Sequence, residues 1–179
     1  MTLANKLTLL RILLVPIFMI FVLAGIPHGH FIAAVIFVLA AATDGLDGYV
    51  ARKRKEITNM GKLLDPLADK LLVAAALISL VETGQIPTWI AVVIIGREFL
   101  VTGLRGVAAA EGLVIAASNL AKMKTIIQIA ALAVLLVDEY LKAMIGFSPG
   151  NWLLYIALFF TVYSGCDYMV KTFAKIKMT

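Results

Sequence analysis

Four aspartates in the first half of the sequence have the type and spacing that metal-dependent phosphate chemistry requires. Asp44 and Asp47 are three residues apart, and Asp65 and Asp69 are four apart. On helices, these spacings place the two carboxylates of each pair on the same face, one turn from each other. Carboxylate oxygens are the ligands that Mg²⁺ and Mn²⁺ prefer, and two such ions about 3.5–4 Å apart can bind the attacking and leaving oxygens of a phosphoryl transfer. We therefore predict a metal site formed by these four residues.

Small residues lie between the acids, and one arginine follows the first pair. Gly48 and Ala51 lack bulk close to the first pair, and Gly61 precedes the second pair. They leave room for a flat or phosphate-bearing ligand, and the guanidinium of Arg52 can bind a phosphate through two parallel hydrogen bonds. A single acid at a helix end can instead pair with the basic run 52–55 at the membrane surface, and this interpretation stays open for each acid taken alone.

The composition of the chain is that of an integral membrane protein. Its 179 residues are 62% hydrophobic with a mean hydropathy of +0.99, which exceeds what a soluble domain of this size needs. A carboxylate at the centre of a membrane helix costs roughly 2.5 to 3.5 kcal/mol, so the four aspartates need a cation or another strong compensating partner. The net charge of +5 is spread between apolar segments, which argues against nucleic-acid binding. The single cysteine, Cys166, excludes an intramolecular disulfide.

Six apolar segments are long enough to position these residues on membrane-spanning helices, since about 20 residues cross a bilayer. They are Leu7–Gly25, Phe31–Val50, Leu63–Val81, Pro87–Ala108, Ile115–Val137 and Trp152–Phe173. We predict an all-α membrane protein with a single domain, residues 1–179. It has six transmembrane helices and a polar active-site cavity that faces the cytoplasm.

Basic residues occur at every second connection between the predicted helices. The basic sites are Lys6, Arg11, residues 52–55, Lys122, Lys124, Lys171, Lys175 and Lys177. The opposite connections, Ile26–His30, Glu82–Ile86 and Asp138–Gly150, contain only Lys142. By the positive-inside rule, both termini and the acid-bearing ends of the second and third segments are cytoplasmic. We expect a multi-pass protein of a bacterial inner (cytoplasmic) membrane, with its active site on the cytoplasmic side.

The stretch from Asp44 to Asp69 resembles the complete signature of the CDP-alcohol phosphotransferase family. The matching pattern is Asp44-x2-Asp47-Gly48-x2-Ala51-Arg52-x8-Gly61-x3-Asp65-x3-Asp69. The resemblance implies that the acids hold two divalent cations, Mg²⁺ or Mn²⁺, on the pyrophosphate of CDP-diacylglycerol. It also implies that Asp69 is the general base that deprotonates the acceptor hydroxyl. The residues that would border the bound CDP-diacylglycerol are Gly48, Ala51, Arg52 and Gly61.

Cations in the second half of the chain indicate an acceptor that carries a phosphate. Arg97 and Arg105 are eight residues apart in the fourth segment, about two helical turns. Lys122 and Lys124 begin the fifth segment, and cations this deep are costly unless they meet anions. These runs resemble the branch of the family that uses glycerol 3-phosphate. We predict that these four residues bind the acceptor phosphate, with Lys62 as a further candidate.

The N-terminal pattern Asn5-x2-Thr8-x2-Arg11 resembles the same branch. The resemblance implies that Asn5 and Thr8 contribute to the CDP-diacylglycerol site, whereas Arg11 can instead anchor the membrane interface. A structural alternative for the later cations also stays open. In that alternative, Glu98 pairs with one of the two arginines, and the lysines extend to lipid headgroups.

Two other functions are weighed against this prediction. The first is the same chemistry with another acceptor, namely inositol phosphate, serine or phosphatidylglycerol. The second is a divalent-cation transporter that uses the acids as a permeation site, which would place acids near the bilayer midplane on several spans. The partners that we expect are CDP-diacylglycerol, glycerol 3-phosphate, membrane lipids and a second copy of the chain in a homodimer, with no nucleic acid.

Overall fold

The regular elements of the structure, a computed structural model, are all α-helices. It describes the backbone of residues 3–54, 59–110 and 119–176, and the side chains of 5–43, 61, 64–109, 120 and 123–172. The helices within these ranges are α1 (Leu3–Leu23), α2 (Gly29–Arg54), α3 (Asn59–Glu82), α4 (Thr88–Ala110), α5 (Asn119–Leu136), α6 (Asp138–Ile145) and α7 (Pro149–Ile176). The prediction of an all-α fold is confirmed for these described residues.

Six of these helices coincide with the six apolar segments, and α6 is an addition to them. It lies within the connection between the fifth and sixth predicted helices. Asp138 and Glu139 in its first turn and Lys142 in its last turn complement the helix dipole. The helix ends at Gly146, which has a positive φ of 68° and donates its N–H to the Lys142 carbonyl at 2.9 Å. Eight residues are too few to cross a bilayer, so a search for long apolar segments does not detect this helix.

The third helix lies at the centre of the bundle. It contacts α1, α2, α4 and α5, while α7 packs against α4, α5 and α6. Phe18 of α1 and Phe37 of α2 are fully buried, with ring centroids 6.0 Å apart. Buried alanines such as Ala33, Ala40 and Ala76 have little side-chain bulk, which lets the helix backbones approach closely. The central position of α3 brings its residues near four other helices.

Many large apolar side chains are exposed on the outer surface of the bundle. Leu13, Val92, Ile126 and Phe159, on four different helices, have exposed fractions of 63% to 68%. Within the described residues, α1 and α7 each contain a run that is long and apolar enough to cross a bilayer, Asn5–Leu23 and Pro149–Thr172. Soluble monomers rarely expose large contiguous apolar surfaces. The apolar helices and surface therefore indicate a membrane protein.

Candidate functional site

The first part of the candidate site joins α1 to α3. Asp65 and Asp69 lie one turn apart on α3, and both are partly buried. The hydroxyl of Thr8, which is fully buried on α1, donates a hydrogen bond of 2.6 Å to Oδ1 of Asp65. Thr8 was predicted to contribute to the CDP-diacylglycerol site, and the structure places its hydroxyl on a predicted metal ligand. Asn5, one turn earlier on α1, is also buried.

Arg11 joins α1 to α2 close to the predicted first pair of acids. Its side chain is 1% exposed, and its Nε donates to the Ala40 carbonyl at 3.1 Å. The Thr43 hydroxyl donates to the same carbonyl at 2.7 Å. Arg11 therefore belongs to the interior of the helix bundle, one turn of α2 before Asp44, rather than to an exposed membrane interface.

Several predicted residues have side chains outside the described set. They are Asp44, Asp47, Gly48, Ala51 and Arg52 on α2, Lys62 on α3 and Lys122 on α5. Gly61, whose position is described, is buried at the start of α3. Among the described side chains, no group of three or more His, Cys, Asp or Glu residues is arranged to hold a metal ion. The four-carboxylate metal site therefore stays a prediction, and the described part of it is the Asp65 and Asp69 pair.

A second cluster, formed by Arg97, Glu98 and Lys124, joins α4 to α5 and α7. Lys124 is 4% exposed and forms an ion pair with Oε1 of Glu98. The same oxygen lies 3.3 Å from Nη1 of Arg97. Sequence reasoning weighed Glu98 only as a partner for one arginine, and the structure makes it the common partner of an arginine and a lysine. The Arg105 side chain, two turns further along α4, is exposed.

Arg97 is also bound to α7. Its Nε donates to the Thr161 carbonyl at 3.2 Å, and its Nη2 donates to the Ser164 hydroxyl at 2.8 Å. A Cβ atom on Gly165 would lie 3.0 Å from Cγ of Arg97, so a glycine at this position leaves space for the arginine side chain. The contacts of Arg97 fix its guanidinium between α4 and α7.

One pocket joins the two clusters. It is lined by Asp69, Lys70, Val73, Glu98, Lys124, Thr125, Gln128 and Ile129. Asp69 attracts the Lys124 ammonium electrostatically, while Arg97 and Lys70 repel it. The pocket therefore combines the predicted general base with two ammonium groups. This combination suits a ligand that carries both a negative charge and a hydroxyl to be deprotonated.

Sequence reasoning assigned no site role to Lys70, Glu98, Thr125 or Gln128. Lys70 follows Asp69 directly, and Gln128 lies one helical turn after Lys124 in an otherwise apolar segment. Gln128 could be found from the sequence, because it is a polar residue one turn from a predicted ligand on a predicted membrane helix. The contribution of Glu98 depends on the contact of its side chain with Lys124 of α5, which spacing along one helix does not reveal.

The fold and the pocket define a class of protein, an all-helical membrane protein with acids and cations in one polar pocket. The sequence model of the CDP-alcohol phosphatidyltransferase family matches residues 1–163, and the chain belongs to this family. The predicted family is thereby confirmed. Divalent cations are part of the chemistry of this family in general.

Relatives with high coverage have names that state a particular activity. The chain is 48% identical to the CDP-diacylglycerol–glycerol-3-phosphate 3-phosphatidyltransferase of Bacillus subtilis (strain 168), over 98% of this chain and 97% of the relative. It is 38% identical to the Rickettsia bellii (strain RML369-C) protein of the same name, over 93% and 92%. It is 41% identical to the Haemophilus influenzae (strain ATCC 51907 / DSM 11121 / KW20 / Rd) protein of that name, over 91% and 89%.

Proposed function

We propose that the protein transfers a phosphatidyl group from CDP-diacylglycerol to glycerol 3-phosphate, giving phosphatidylglycerol phosphate and CMP. The observation that carries this proposal is the pocket that Asp69 shares with Lys70 and Lys124. An acceptor with one hydroxyl to activate and one phosphate to bind suits this combination of groups. Bacterial relatives named for this activity align with almost the whole chain, which supports the same reaction here.

The proposed reaction is a direct displacement at phosphorus. A hydroxyl oxygen of glycerol 3-phosphate attacks the phosphorus on the diacylglycerol side of the pyrophosphate. A new P–O bond forms, the P–O bond to CMP breaks, and the hydroxyl proton passes to the Asp69 carboxylate. Removal of this proton is useful because a neutral alcohol is a weak nucleophile. The displacement needs no covalent enzyme intermediate.

The residues that would hold two divalent cations, Mg²⁺ or Mn²⁺, are Asp44, Asp47, Asp65 and Asp69. Two of them, Asp65 and Asp69, offer carboxylate oxygens one turn apart on α3, which suits hard cations. Bound there, the cations would offset the charge of the pyrophosphate and stabilise CMP as the leaving group. The residues proposed to border CDP-diacylglycerol are Asn5, Thr8, Gly48, Ala51, Arg52 and Gly61.

Lys124 is the proposed principal ligand of the acceptor phosphate, because it is a buried cation in the same pocket as Asp69. Arg97 uses three nitrogens for Thr161, Ser164 and Glu98, so its proposed contribution is a fixed positive charge beside Lys124. Three further cations are proposed to assist at the acceptor phosphate, namely Arg105, Lys122 and Lys62.

The proposed assembly is a single integral membrane domain with six spanning helices. Both termini and the active site would face the cytoplasm of a bacterial cell, with the site at the inner membrane. The distribution of basic residues along the chain supports this orientation, and the exposed apolar side chains support contact with membrane lipids. A homodimer is proposed from the family resemblance.

The proposed function is tested by supplying purified protein with CDP-diacylglycerol, Mg²⁺ or Mn²⁺, and one acceptor at a time. The acceptors are glycerol 3-phosphate, inositol phosphate, serine and phosphatidylglycerol, and CMP release is measured together with the lipid product. We expect CMP release with glycerol 3-phosphate and loss of at least 100-fold in Asp69→Asn, since general-base catalysis contributes about 10²–10⁴-fold.

Asp167→Asn is the matched control for this experiment. Asp167 pairs with Lys171 at 2.7 Å, one turn away on α7, and it does not line the pocket of Asp69. We expect this variant to retain the wild-type rate. CMP release with another acceptor but not with glycerol 3-phosphate would contradict the acceptor assignment. Absence of metal-dependent CMP release with all four acceptors would contradict the enzymatic function and favour a divalent-cation transporter.

A further inference from the structure

Gln128 is a buried polar residue that the proposed reaction does not yet use. It lies on α5, one helical turn after Lys124, and is 2% exposed. Its Oε1 has no hydrogen-bond partner within the described part of the chain. A buried carbonyl oxygen without a partner is unfavourable, and such groups in native proteins usually mark a bound water, an ion or a functional contact.

Gln128 differs in its position from the other residues that have an unpaired buried oxygen. Three other buried side-chain oxygens also lack partners among the described residues, those of Ser79, Thr161 and Tyr168. None of these three lines the pocket of Asp69 and Lys124, whereas Gln128 does. The residue that carries this unpaired oxygen therefore lines the pocket that is proposed to bind the acceptor.

The functional groups of glycerol 3-phosphate match the polar side chains that line this pocket. Glycerol 3-phosphate carries a phosphate, a hydroxyl that reacts and a second hydroxyl on the middle carbon. The cations of the pocket suit the phosphate, and Asp69 suits the reacting hydroxyl. The middle hydroxyl is a hydrogen-bond donor without an assigned partner, and Oε1 of Gln128 is an acceptor without a partner.

We propose that Gln128 is a specificity-determining residue, whose Oε1 accepts a hydrogen bond from the middle hydroxyl of glycerol 3-phosphate. This inference rests on the proposed function, because it assumes that acceptor in that pocket. An acceptor without the middle hydroxyl would leave the carbonyl oxygen unpaired in the complex. A site built to bind a hydroxyl rejects such an analogue much more strongly than an apolar pocket does.

The test compares glycerol 3-phosphate with 3-hydroxypropyl phosphate, which lacks only the middle hydroxyl. CMP release is measured with saturating CDP-diacylglycerol for the wild type and for Gln128→Leu. We expect the wild type to prefer glycerol 3-phosphate on the order of 10- to 100-fold in kcat/KM, from the cost of an unsatisfied buried acceptor. In Gln128→Leu, this preference falls to within about threefold, because only the reaction of glycerol 3-phosphate loses a hydrogen bond.

Two further variants make the outcome unambiguous. Gln128→Met has an unbranched, flexible side chain of similar length, and it replaces the leucine variant if that protein does not fold. Gln85→Leu is the matched control. Gln85 lies in the turn between α3 and α4, where its side chain contacts His30 of α2, and this variant should keep the wild-type preference. The KM for CDP-diacylglycerol should stay unchanged in all three variants.

The failure of this inference is distinguishable from the failure of the proposed function. If the wild type releases no CMP with glycerol 3-phosphate, the proposed function is wrong. If the wild type uses both acceptors equally, or if the Gln128 variants slow both acceptors by the same factor, only the role of Gln128 is wrong. An equal loss for both acceptors would assign Gln128 a purely structural role.

Discussion

At the scale of single residues, the Thr8 hydroxyl contacts a predicted metal ligand directly. Its hydroxyl donates to Asp65 across 57 positions of sequence, and the pair lies where α1 packs against α3. A hydrogen bond to a ligating carboxylate fixes the direction of its free lone pairs, which tunes metal affinity. We therefore interpret Thr8 as a residue that positions Asp65, in addition to any contact that it makes with CDP-diacylglycerol.

We predict that Thr8→Val weakens the affinity for Mn²⁺ by about 10- to 100-fold, the usual effect of removing a hydrogen bond to a metal ligand. Two measurements report this change. One is the Mn²⁺ concentration that gives half-maximal CMP release, and the other is the Mn²⁺-dependent rise in melting temperature, which requires no turnover.

Thr8→Ser is the control for this prediction, because it retains the hydroxyl and should keep nearly the wild-type Mn²⁺ dependence. An unchanged Mn²⁺ dependence in Thr8→Val, combined with a raised KM for CDP-diacylglycerol, would contradict the positioning role. That result would instead support the nucleotide contact predicted from the sequence.

At the scale of helices, Asp138 links α6 to the start of α7. Its carboxylate accepts hydrogen bonds from the Ser148 hydroxyl and from the Gly150 N–H, the latter at 2.9 Å. A Cβ atom on Gly150 would lie 2.8 Å from Cδ2 of Leu135 and 2.9 Å from the same carboxylate. Glycine is therefore required for this close approach, and the carboxylate satisfies backbone and side-chain donors at the N-terminus of α7.

We predict that Asp138→Ala lowers the free energy of unfolding by about 1 kcal/mol, the typical cost of losing a cap. For a chain of this size, this corresponds to a fall in melting temperature of about 2–4 °C, measured by thermal unfolding in detergent. The rate of CMP release should stay near that of the wild type, because Asp138 begins α6, beyond the far end of α5 from Lys124, and does not line the pocket of Asp69.

Glu139→Ala tests whether the effect belongs to the contact with α7. Glu139 is the next residue in the first turn of α6, and its side chain is exposed. We expect its substitution to change the free energy of unfolding by less than about 0.5 kcal/mol. Equal destabilisation by the two variants would assign the effect to the charge in the first turn of α6 rather than to the link with α7.

At the scale of the whole molecule, the exposed apolar side chains and the distribution of basic residues have one common explanation. In the proposed arrangement, lipid would cover the apolar sides of the helices, and the basic connections would lie on one side of the membrane. In the proposed orientation, α6 with Lys142 lies on the outer side, whereas the basic run 52–55 at the end of α2 lies on the cytoplasmic side. The predicted acids would then lie on the cytoplasmic side, where glycerol 3-phosphate and the CDP headgroup of CDP-diacylglycerol would be accessible.

This orientation predicts the outcome of cysteine labelling of intact cells with a membrane-impermeant maleimide. Cys166 is exposed and is first replaced in Cys166→Ser, so that a single new cysteine can be followed. We expect Lys142→Cys to react in intact cells and Lys53→Cys to react only after permeabilisation. Each variant is first checked for CMP release.

Labelling of Lys53→Cys in intact cells, with protection of Lys142→Cys, would show the opposite orientation. Labelling of both positions in intact cells would place both connections outside and contradict the number of spans between them. The unmodified Cys166→Ser protein is the control for background reaction.

The sequence by itself determined the features that depend on composition and on spacing along one helix. The apolar lengths predicted the six long helices, because crossing a bilayer sets a minimum length for each. The four-residue spacing of Asp65 and Asp69 placed both carboxylates on one face of α3, because helical geometry is local. The signature around them predicted the family. The short helix α6 was missed, because its eight residues carry neither a spanning length nor a diagnostic motif.

Only the tertiary structure decided which side chains from different helices meet. Thr8 reaches Asp65, Glu98 joins Arg97 to Lys124, and Gln128 lines the pocket of Asp69. These contacts depend on how each helix is rotated about its axis and how closely the helices approach. Rotation and approach are set by the packing of many side chains at once, including the buried alanines. Spacing along one segment does not contain that information, because a contact between two helices is a property of both.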